Sequence, residues 1–194
     1  PGPLNPGSRY NFVLNSVCNL AAYCVSSPST YFYTSSSTDN TPETIVSVSV
    51  PDQATGVPLN PSITLRLSKA AAPGSITNSS VTLSPAPASG TDTVSLSSDG
   101  MTLTVSLGGN LVATTQYTIS AAGGSFTDID GNPVSAFTSK FTTGTSAEDT
   151  GVHGTISMTS PAPGASGIAI TSAVTLTFSQ PYNPNSVTPA SFEL

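Results

Sequence analysis

Apolar and hydroxyl side chains alternate along several short stretches of this chain, whereas the spacing typical of a helix hardly occurs. Val, Ile or Leu alternates with polar residues, mostly Ser or Thr, in four stretches: 46–50, 63–68, 94–97 and 103–107. A period of two places the apolar side chains on one face of a strand and the polar ones on the other. Each stretch therefore predicts a strand with one buried face, and in the first Val46, Val48 and Val50 share that face.

Turn residues between these stretches predict antiparallel pairing. Ser98, Asp99 and Gly100 separate two of the predicted strands, and Gly readily adopts the positive φ that a tight hairpin needs. Further strands are predicted at 117–120 and 137–143. Short strands with frequent turn signals favour an all-β fold in which antiparallel sheets form a sandwich.

Internal repetition predicts how the chain is divided. Residues 45–68 match residues 156–179, so that Ile156 aligns with Ile45 at an offset of 111 positions. The same alignment continues to the end of the chain. The N-terminal stretch matches the end of the same unit, with Tyr10 on Tyr117 and Phe32 on Phe141. We therefore predict three tandem units, listed by range: C-terminal strands of a first repeat at 1–36, a complete domain at 41–144 and N-terminal strands of a third repeat at 155–194.

Two polar joints separate the predicted units. They cover residues 35–43 and 144–154 and contain much of the sparse charge, including Glu43 and His153. Linkers of about ten residues restrict how neighbouring domains move. We expect both joints, and the charged residues in them, to be solvated.

Composition narrows the classes of function. Only 7% of the residues are charged, against about 25% in average soluble proteins, while the chain has 33 Ser and 28 Thr. A net charge of −6 and a pI near 4.2 leave no basic patch for nucleic acid or an anionic membrane. No apolar run is long enough for a transmembrane helix, so we expect no membrane insertion in this segment.

The chain has few residues of the types that act in catalysis. With one histidine, His153, and two cysteines, most metal-ligand and general-base arrangements have too few residues. We therefore expect the chain not to be an enzyme. It begins at Pro1 without an initiator Met, which favours a slice of a longer chain or a processed form.

An ordered set of short motifs runs through the middle unit: Ala54-Thr-Gly-Val57, Ser62-Ile-Thr-Leu-Arg-Leu-Ser68, Asp99-Gly-Met-Thr-Leu103, Thr127-Asp-Ile-Asp-Gly-Asn-Pro133 and Phe141-Thr-Thr143. With these motifs the unit resembles the bacterial Ig-like domains of the type first described in S-layer proteins. The third unit adds Thr175-Leu-Thr-Phe-Ser179, which is similar to the "TFS" of that family. The resemblance implies tandem Greek-key β-sandwiches of seven or slightly more strands, on secreted or surface-anchored proteins of bacterial type.

Asp128, Asp130 and Asn132 place two carboxylates and an amide at alternate positions, as at the start of a calcium loop. The alternative is a structural turn, because Gly131 accepts positive φ and no bidentate Glu follows at the EF-hand spacing. We expect that no cofactor is required and that calcium is the one candidate ion.

Cys18 and Cys24 occupy the corresponding loop of the first unit. The chain has the character of an exported protein and no other cysteine, which favours a disulfide over two free thiols. Such a bridge would stabilise the loop by about 2 kcal/mol, because the ring that it closes is small.

Tyrosines supply the remaining candidates. Tyr10 and Tyr117 resemble the tyrosine corner of Greek-key sandwiches, whose hydroxyl binds the backbone. Tyr31 and Tyr33 flank Phe32, so that both faces of one strand carry aromatic rings. We expect one face to be core and the face with Tyr31 and Tyr33 to be a contact patch.

These observations together predict an extracellular structural module of a tandem Ig-like repeat protein that forms a surface filament, an S-layer-like lattice or an adhesin stalk. Its expected partners are neighbouring repeats or further copies of the same protein. The alternative is a carbohydrate- or ligand-binding accessory module of a secreted enzyme, although the absence of Trp disfavours an aromatic platform.

Overall fold

The computed structural model describes residues 4–13, 17–24, 29–147 and 154–193 of the 194-residue chain. The strands are β1 Arg9–Val13, β2 Ser29–Tyr33, β3 Ile45–Val48, β4 Ala54–Val57, β5 Ile63–Leu67, β6 Thr82–Ser84, β7 Thr93–Leu96, β8 Thr102–Ser106, β9 Gln116–Ala121, β10 Phe137–Thr143, β11 Ile156–Ser160 and β12 Thr175–Phe178. Short 3₁₀ turns lie at Pro73–Ser75, Pro184–Ser186 and Pro189–Ser191. In these ranges no helix combines the length and the apolar character that a bilayer span requires.

The chain forms two compact units, residues 1–40 and residues 41–194. The first contains the antiparallel pair β1–β2. The second contains a four-stranded sheet in the order β4-β10-β9-β6, another in the order β3-β5-β8-β7, and the pair β11–β12. All pairs are antiparallel except β4–β10, which is parallel. Strands β3–β10, called the sandwich below, confirm the predicted all-β class.

The core of the sandwich consists of side chains that the alternation places on the inner faces of the sheets. Ile63, Leu65 and Leu67 of β5 are at most 1% exposed, and from the other sheet Tyr117 and Phe141 are equally buried. Burying an aliphatic side chain of this size contributes about 1.5–3 kcal/mol. The hydrophobic contact between the sheets is therefore the main term that holds the unit together.

The first predicted strand departs from simple alternation. Val46 is 56% exposed, although the period of two places it inward with Val48. The pairing register explains this, because Ile45 lies opposite Leu67 and Ser47 opposite Arg66, leaving Val46 as the extra residue of a β-bulge. Ile45 packs against the core in its place.

The β7–β8 hairpin forms as predicted. Ser97 and Thr102 close the turn with a backbone hydrogen bond of 2.9 Å, and Gly100 takes φ +73°. The Asp99 carboxylate accepts hydrogen bonds from the Ser97 hydroxyl and from the Met101 amide. The predicted turn residues therefore act through local side-chain bonds as well as through glycine.

The pair β11–β12 repeats the pairing of β3–β5. Its register shifts between Ile156 and Met158, at the positions that align with Ile45 and Ser47. Leu176 and Phe178 on the inner face of β12, with Val174 just before the strand, line a crevice of about 490 Å³. In the described part of the chain this face is open, whereas the aligned face of β5 is buried.

Candidate functional site

The loop between β9 and β10 is organised by one carboxylate. In this loop, residues 127–133 and called the Asp128 loop below, the Asp128 side chain is buried. Its Oδ1 accepts the Asp130 amide at 3.0 Å and the Asn132 amide at 2.8 Å. Its Oδ2 accepts the Asn132 side-chain amide at 3.0 Å and the Lys69 ammonium at 3.2 Å. Gly131 completes the turn at φ +87°.

The electrostatics of Asp128 follow from burial and hydrogen bonding acting in opposite directions. Burial alone raises the pKa of Asp128. Hydrogen bonds from the side chain and amide of Asn132, from Lys69 and from the Asp130 amide outweigh burial, so that the pKa lies below the ordinary value of 3.8. Asp128 is therefore ionised at neutral pH, with Lys69 as its counter-ion.

The donors around Asp128 bear on the calcium expectation. Calcium is bound by oxygen atoms, but Asn132 directs its NH₂ group, not its oxygen, toward Asp128. The Lys69 ammonium already supplies a positive charge at the Asp128 carboxylate. Asp130 is exposed. The observed arrangement is that of a hydrogen-bonded turn, and calcium binding by Asp128, Asp130 and Asn132 stays a prediction.

The disulfide loop, residues 18–24 of the first unit, has the same backbone arrangement. The Asn19 Oδ1 accepts the Ala21 and Tyr23 amides, each at 3.0 Å. Cys18 and Cys24 lie opposite each other in an antiparallel bridge and form a disulfide. The predicted disulfide is thus confirmed, and it closes the loop at the positions that align with Thr127 and Pro133.

Both predicted corner tyrosines bind the backbone through their hydroxyl groups. The Val112 amide donates to Tyr117 Oη at 2.9 Å, and the Asn5 amide donates to Tyr10 Oη at 2.7 Å. In each case the donor precedes the tyrosine by five residues. Such a bond fixes the segment that leads into the following strand.

Each of these tyrosines also stacks on a phenylalanine ring, and a threonine hydroxyl bonds to the same backbone segment in both places. Tyr117 stacks on Phe141 with centroids 5.7 Å apart, and Tyr10 stacks on its aligned phenylalanine at 5.8 Å, both at 18° between planes. Thr143 Oγ1 donates to the Val112 carbonyl at 2.7 Å, and the aligned Thr34 donates to the Asn5 carbonyl at 2.6 Å. The β1–β2 pair thus has the local structure of β9–β10.

Tyr31 and Tyr33 lie on the opposite face of β1–β2 from the Tyr10 ring. They are 55% and 67% exposed and meet edge to face at 5.8 Å. The Arg9 guanidinium lies 4.2 Å from the centre of the Tyr31 ring, within cation–π range. The aligned residues of β10 are Lys140 and Thr142, so the aromatic character of this face distinguishes β2 from β10.

A sequence model of the family described as the bacterial Ig-like domain matches residues 39–143, which is more than half of the chain and includes all of β3–β10. The chain belongs to the bacterial Ig-like domain family. The predicted resemblance is thereby confirmed, and the sandwich is referred to below as the Ig-like domain.

Solved structures of a surface-layer protein are similar to the chain. The S-layer protein rSbsC(31-844) and surface layer protein SbsC, domains 1-6, each share 20% identity with it, over 61% of this chain and 15% of theirs, at a TM-score of 0.40. The N-terminal part of the bacterial S-layer protein SbsC shares 18% identity, over 61% of this chain and 26% of that protein, also at 0.40. The chain thus spans about 15% of the length of the first two. No curated protein matches the chain.

Glu43 of the Ig-like domain is a functional candidate that sequence reasoning missed. The expectation that it lies in a solvated joint is wrong, because it is fully buried. Its Oε1 accepts the amides of Thr44, Ser68 and Lys69 at 3.0–3.1 Å and the Ser68 hydroxyl at 2.8 Å. Its Oε2 has no hydrogen-bond partner among the described residues. The sequence signal was weak, because an acidic residue beside a polar segment usually faces solvent.

Lys69 was also absent from the candidates, although it links Glu43 and Asp128 through its amide and its ammonium group. It lies just after β5, and only the folded chain brings it to residue 128. The other candidate for polar chemistry, His153, lies outside the described residues.

Proposed function

We propose that the chain is an extracellular structural segment of a tandem Ig-like repeat protein that forms a surface filament, an S-layer-like lattice or an adhesin stalk. Membership of the bacterial Ig-like family supports a surface structural module at the coarse level. The observation that supports a tandem repeat is a recurring pair of hydrogen bonds. Tyr117 and Thr143 both bond to the backbone of Val112. The aligned Tyr10 and Thr34 both bond to the backbone of the aligned Asn5.

A second repeated bond supports a third unit. In the Ig-like domain the Thr44 amide donates to Ser68 Oγ at 3.0 Å, and in the β11–β12 segment the Thr155 amide donates to Ser179 Oγ at 2.9 Å. Recurrence of local bonds of the middle unit on both sides of it is expected when one domain type is repeated in tandem. Short joints between such units pass orientation from one repeat to the next.

The surface and the disulfide support the extracellular location. Few titrating groups and many hydroxyl groups give a surface whose solubility depends little on salt and pH. The Cys18–Cys24 disulfide persists only where the environment is oxidising. We accordingly place the chain outside the cytoplasm, on or beyond a bacterial cell surface.

Electron microscopy of the native material tests this proposal. We expect negative-stain images to show filaments, a lattice or stalks with a regular axial repeat. Dispersed particles without any periodic assembly, under conditions in which the Ig-like domain is folded by circular dichroism, would overturn the proposal.

The aromatic face of β2 favours a second candidate, binding of carbohydrate or another ligand by an accessory module. Exposed Tyr31 and Tyr33, with Arg9 against one ring, offer stacking surfaces and a hydrogen-bond donor. A glycan array probed with the chain tests it, with the Tyr31→Ala/Tyr33→Ala variant expected to lose any saturable signal. Thr142→Ala, on the aligned face of β10, is the matched control and should bind as the native chain does.

The present partners of Asp128 favour the structural turn over the predicted calcium site, because the Lys69 ammonium and the Asn132 NH₂ group already bond to its Oδ2. The unfolding temperature of the chain with added calcium and with a chelator measures this directly. A clear rise with calcium, lost in Asp130→Asn, would show instead that the turn rearranges into an ion site.

A further inference from the structure

A short turn of the third unit lies against the Ig-like domain. The 3₁₀ turn Pro184–Ser186 contacts β3, and the Asn183 Oδ1 accepts the Asn185 amide at 2.9 Å. This capping bond stabilises the start of the turn through residues of the turn itself. Asn185 is therefore presented from a locally ordered segment.

The side chain of Asn185 is bonded at both polar atoms. Its Oδ1 accepts the Ser47 hydroxyl of β3. Its Nδ2 lies 3.3 Å from the Thr64 carbonyl and 3.2 Å from Thr64 Oγ1, both on β5. One amide thus bridges two adjacent strands of the Ig-like domain, which specifies position more narrowly than contact with one strand.

The register of β3 and β5 makes these partners available. Val48 and Leu65 point into the core, so Ser47 and Thr64, one position earlier on each strand, point outward and are half-buried. The bulge at Val46 precedes Ser47 and shifts the pairing there. The outer face of the β3–β5 pair therefore offers a hydroxyl and a carbonyl side by side.

The contact distinguishes the third unit from the second. The residue that aligns with Asn185 in the Ig-like domain is Gly74, in the turn Pro73–Ser75. A Cβ built on Gly74 would meet no atom within 4 Å. The same turn in the second unit thus has no side chain at this position that could form such bonds.

We infer that Asn185 fixes the orientation of the β11–β12 segment on the Ig-like domain, so that the segment and the domain move as one body. The inference rests on the proposed tandem-repeat function and names the residue that would transmit orientation between two repeats. Three hydrogen bonds at one half-buried side chain oppose rotation of the segment on the Ig-like domain, because a large rotation would break them together.

Residual dipolar couplings of the full chain test the inference. We expect the amides of 41–147 and those of 154–193 to fit one common alignment tensor. In Asn185→Gly, which installs the residue of the second unit, we expect two different tensors and faster tumbling of 154–193. Asn110→Gly, the same change on an exposed loop of the Ig-like domain, should keep the common tensor.

Asn185→Asp separates the orientation of the segment from its folding. It preserves size and the acceptor for Ser47 but loses the donor to the Thr64 carbonyl, so we expect an intermediate loss of common alignment with intact β11–β12 amide shifts. Two tensors in the native chain, or one tensor in both Asn185 variants, would overturn the inference. If the native chain has one tensor but electron microscopy shows no assembly, the proposed function fails and the fixed orientation stands.

Discussion

The disulfide loop and the Asp128 loop have the same backbone arrangement but are held closed by different chemistry. In each, an Asn or Asp oxygen accepts the amides two and four residues ahead, from Asn19 in one and Asp128 in the other. The first is closed by a covalent bridge, Cys18–Cys24, and the second by an ion pair with Lys69. The side-chain acceptor defines the shape of the turn, and the closure can be exchanged.

The two closures differ in what they require from the rest of the molecule. The disulfide acts within seven residues and needs no partner elsewhere. The Asp128 ion pair needs Lys69, which lies 59 residues earlier in the sequence and is brought next to Asp128 by the fold. We therefore expect the Asp128 loop to be coupled to the stability of the Ig-like domain and the disulfide loop to be independent of it.

Removing the Asp128 carboxylate should have the largest effect. Asp128→Ala removes the acceptor of two loop amides and of the Asn132 side chain, together with the ion pair to Lys69, and we expect a loss of about 3 kcal/mol in unfolding free energy. Urea denaturation followed by circular dichroism measures it. Asp128→Asn, which copies Asn19, keeps the turn but not the charge and should lose only about 1 kcal/mol. Equal losses in the two variants would mean that the charge matters more than the turn.

Removing the disulfide should have a smaller and strictly local effect. The double variant Cys18→Ser/Cys24→Ser should destabilise the folded disulfide loop by about 2 kcal/mol, because the open loop is no longer cross-linked. We expect faster amide hydrogen exchange at Ala21 and Tyr23. The urea midpoint of the Ig-like domain is the internal control and should not move. A shifted midpoint would contradict the independence of the two loops.

Of the two loops, only the Asp128 loop should lose stability in acid, because only it depends on an ionised carboxylate. The folded pKa of Asp128 lies below its ordinary value, so its contribution is complete above the unfolded pKa and is lost as pH falls from about 4 through the lower folded pKa. We expect unfolding free energy to fall over this range, with a shallower fall in Asp128→Asn. Equal slopes would assign the acid sensitivity to Asp52 and Asp99, whose pKa values hydrogen bonds also lower.

The smallest expected effect concerns the residue with positive φ in each loop. Gly131 has φ +87°, whereas the aligned Ala22 has φ +63°. A non-glycine residue pays about 1 kcal/mol there. Gly131→Ala should therefore destabilise the Ig-like domain by about that amount, and Ala22→Gly should slow exchange in the disulfide loop. If Ala22→Gly has no effect, the disulfide already dominates the local energetics.

Local patterns were enough to predict six of the eight strands of the sandwich, the hairpin at Gly100 and the disulfide, because each depends on neighbours in sequence. Strands β4 and β6 were not predicted. The exposure of Val46 was not predictable, since a bulge depends on pairing with β5 rather than on alternation. The same limit applies to the candidate site. Asp128 could be assigned to a turn or a calcium loop, but its counter-ion, and the burial of Glu43, required the tertiary fold.

The parallel pairing of β4 with β10 has a mechanical consequence. These strands follow the entry and precede the exit of the Ig-like domain, and they are joined by the bonds of Gln53 to Lys140 and of Gly144 to Val57, each 2.7 Å. The Asp52 carboxylate adds a bond to the Lys140 amide at 2.8 Å. Since β3 precedes β4, tension that passes β3 and reaches β4 would draw β4 and β10 in opposite directions along their length and load these bonds in shear at the same time. A domain connected in this way resists extension until several bonds break together.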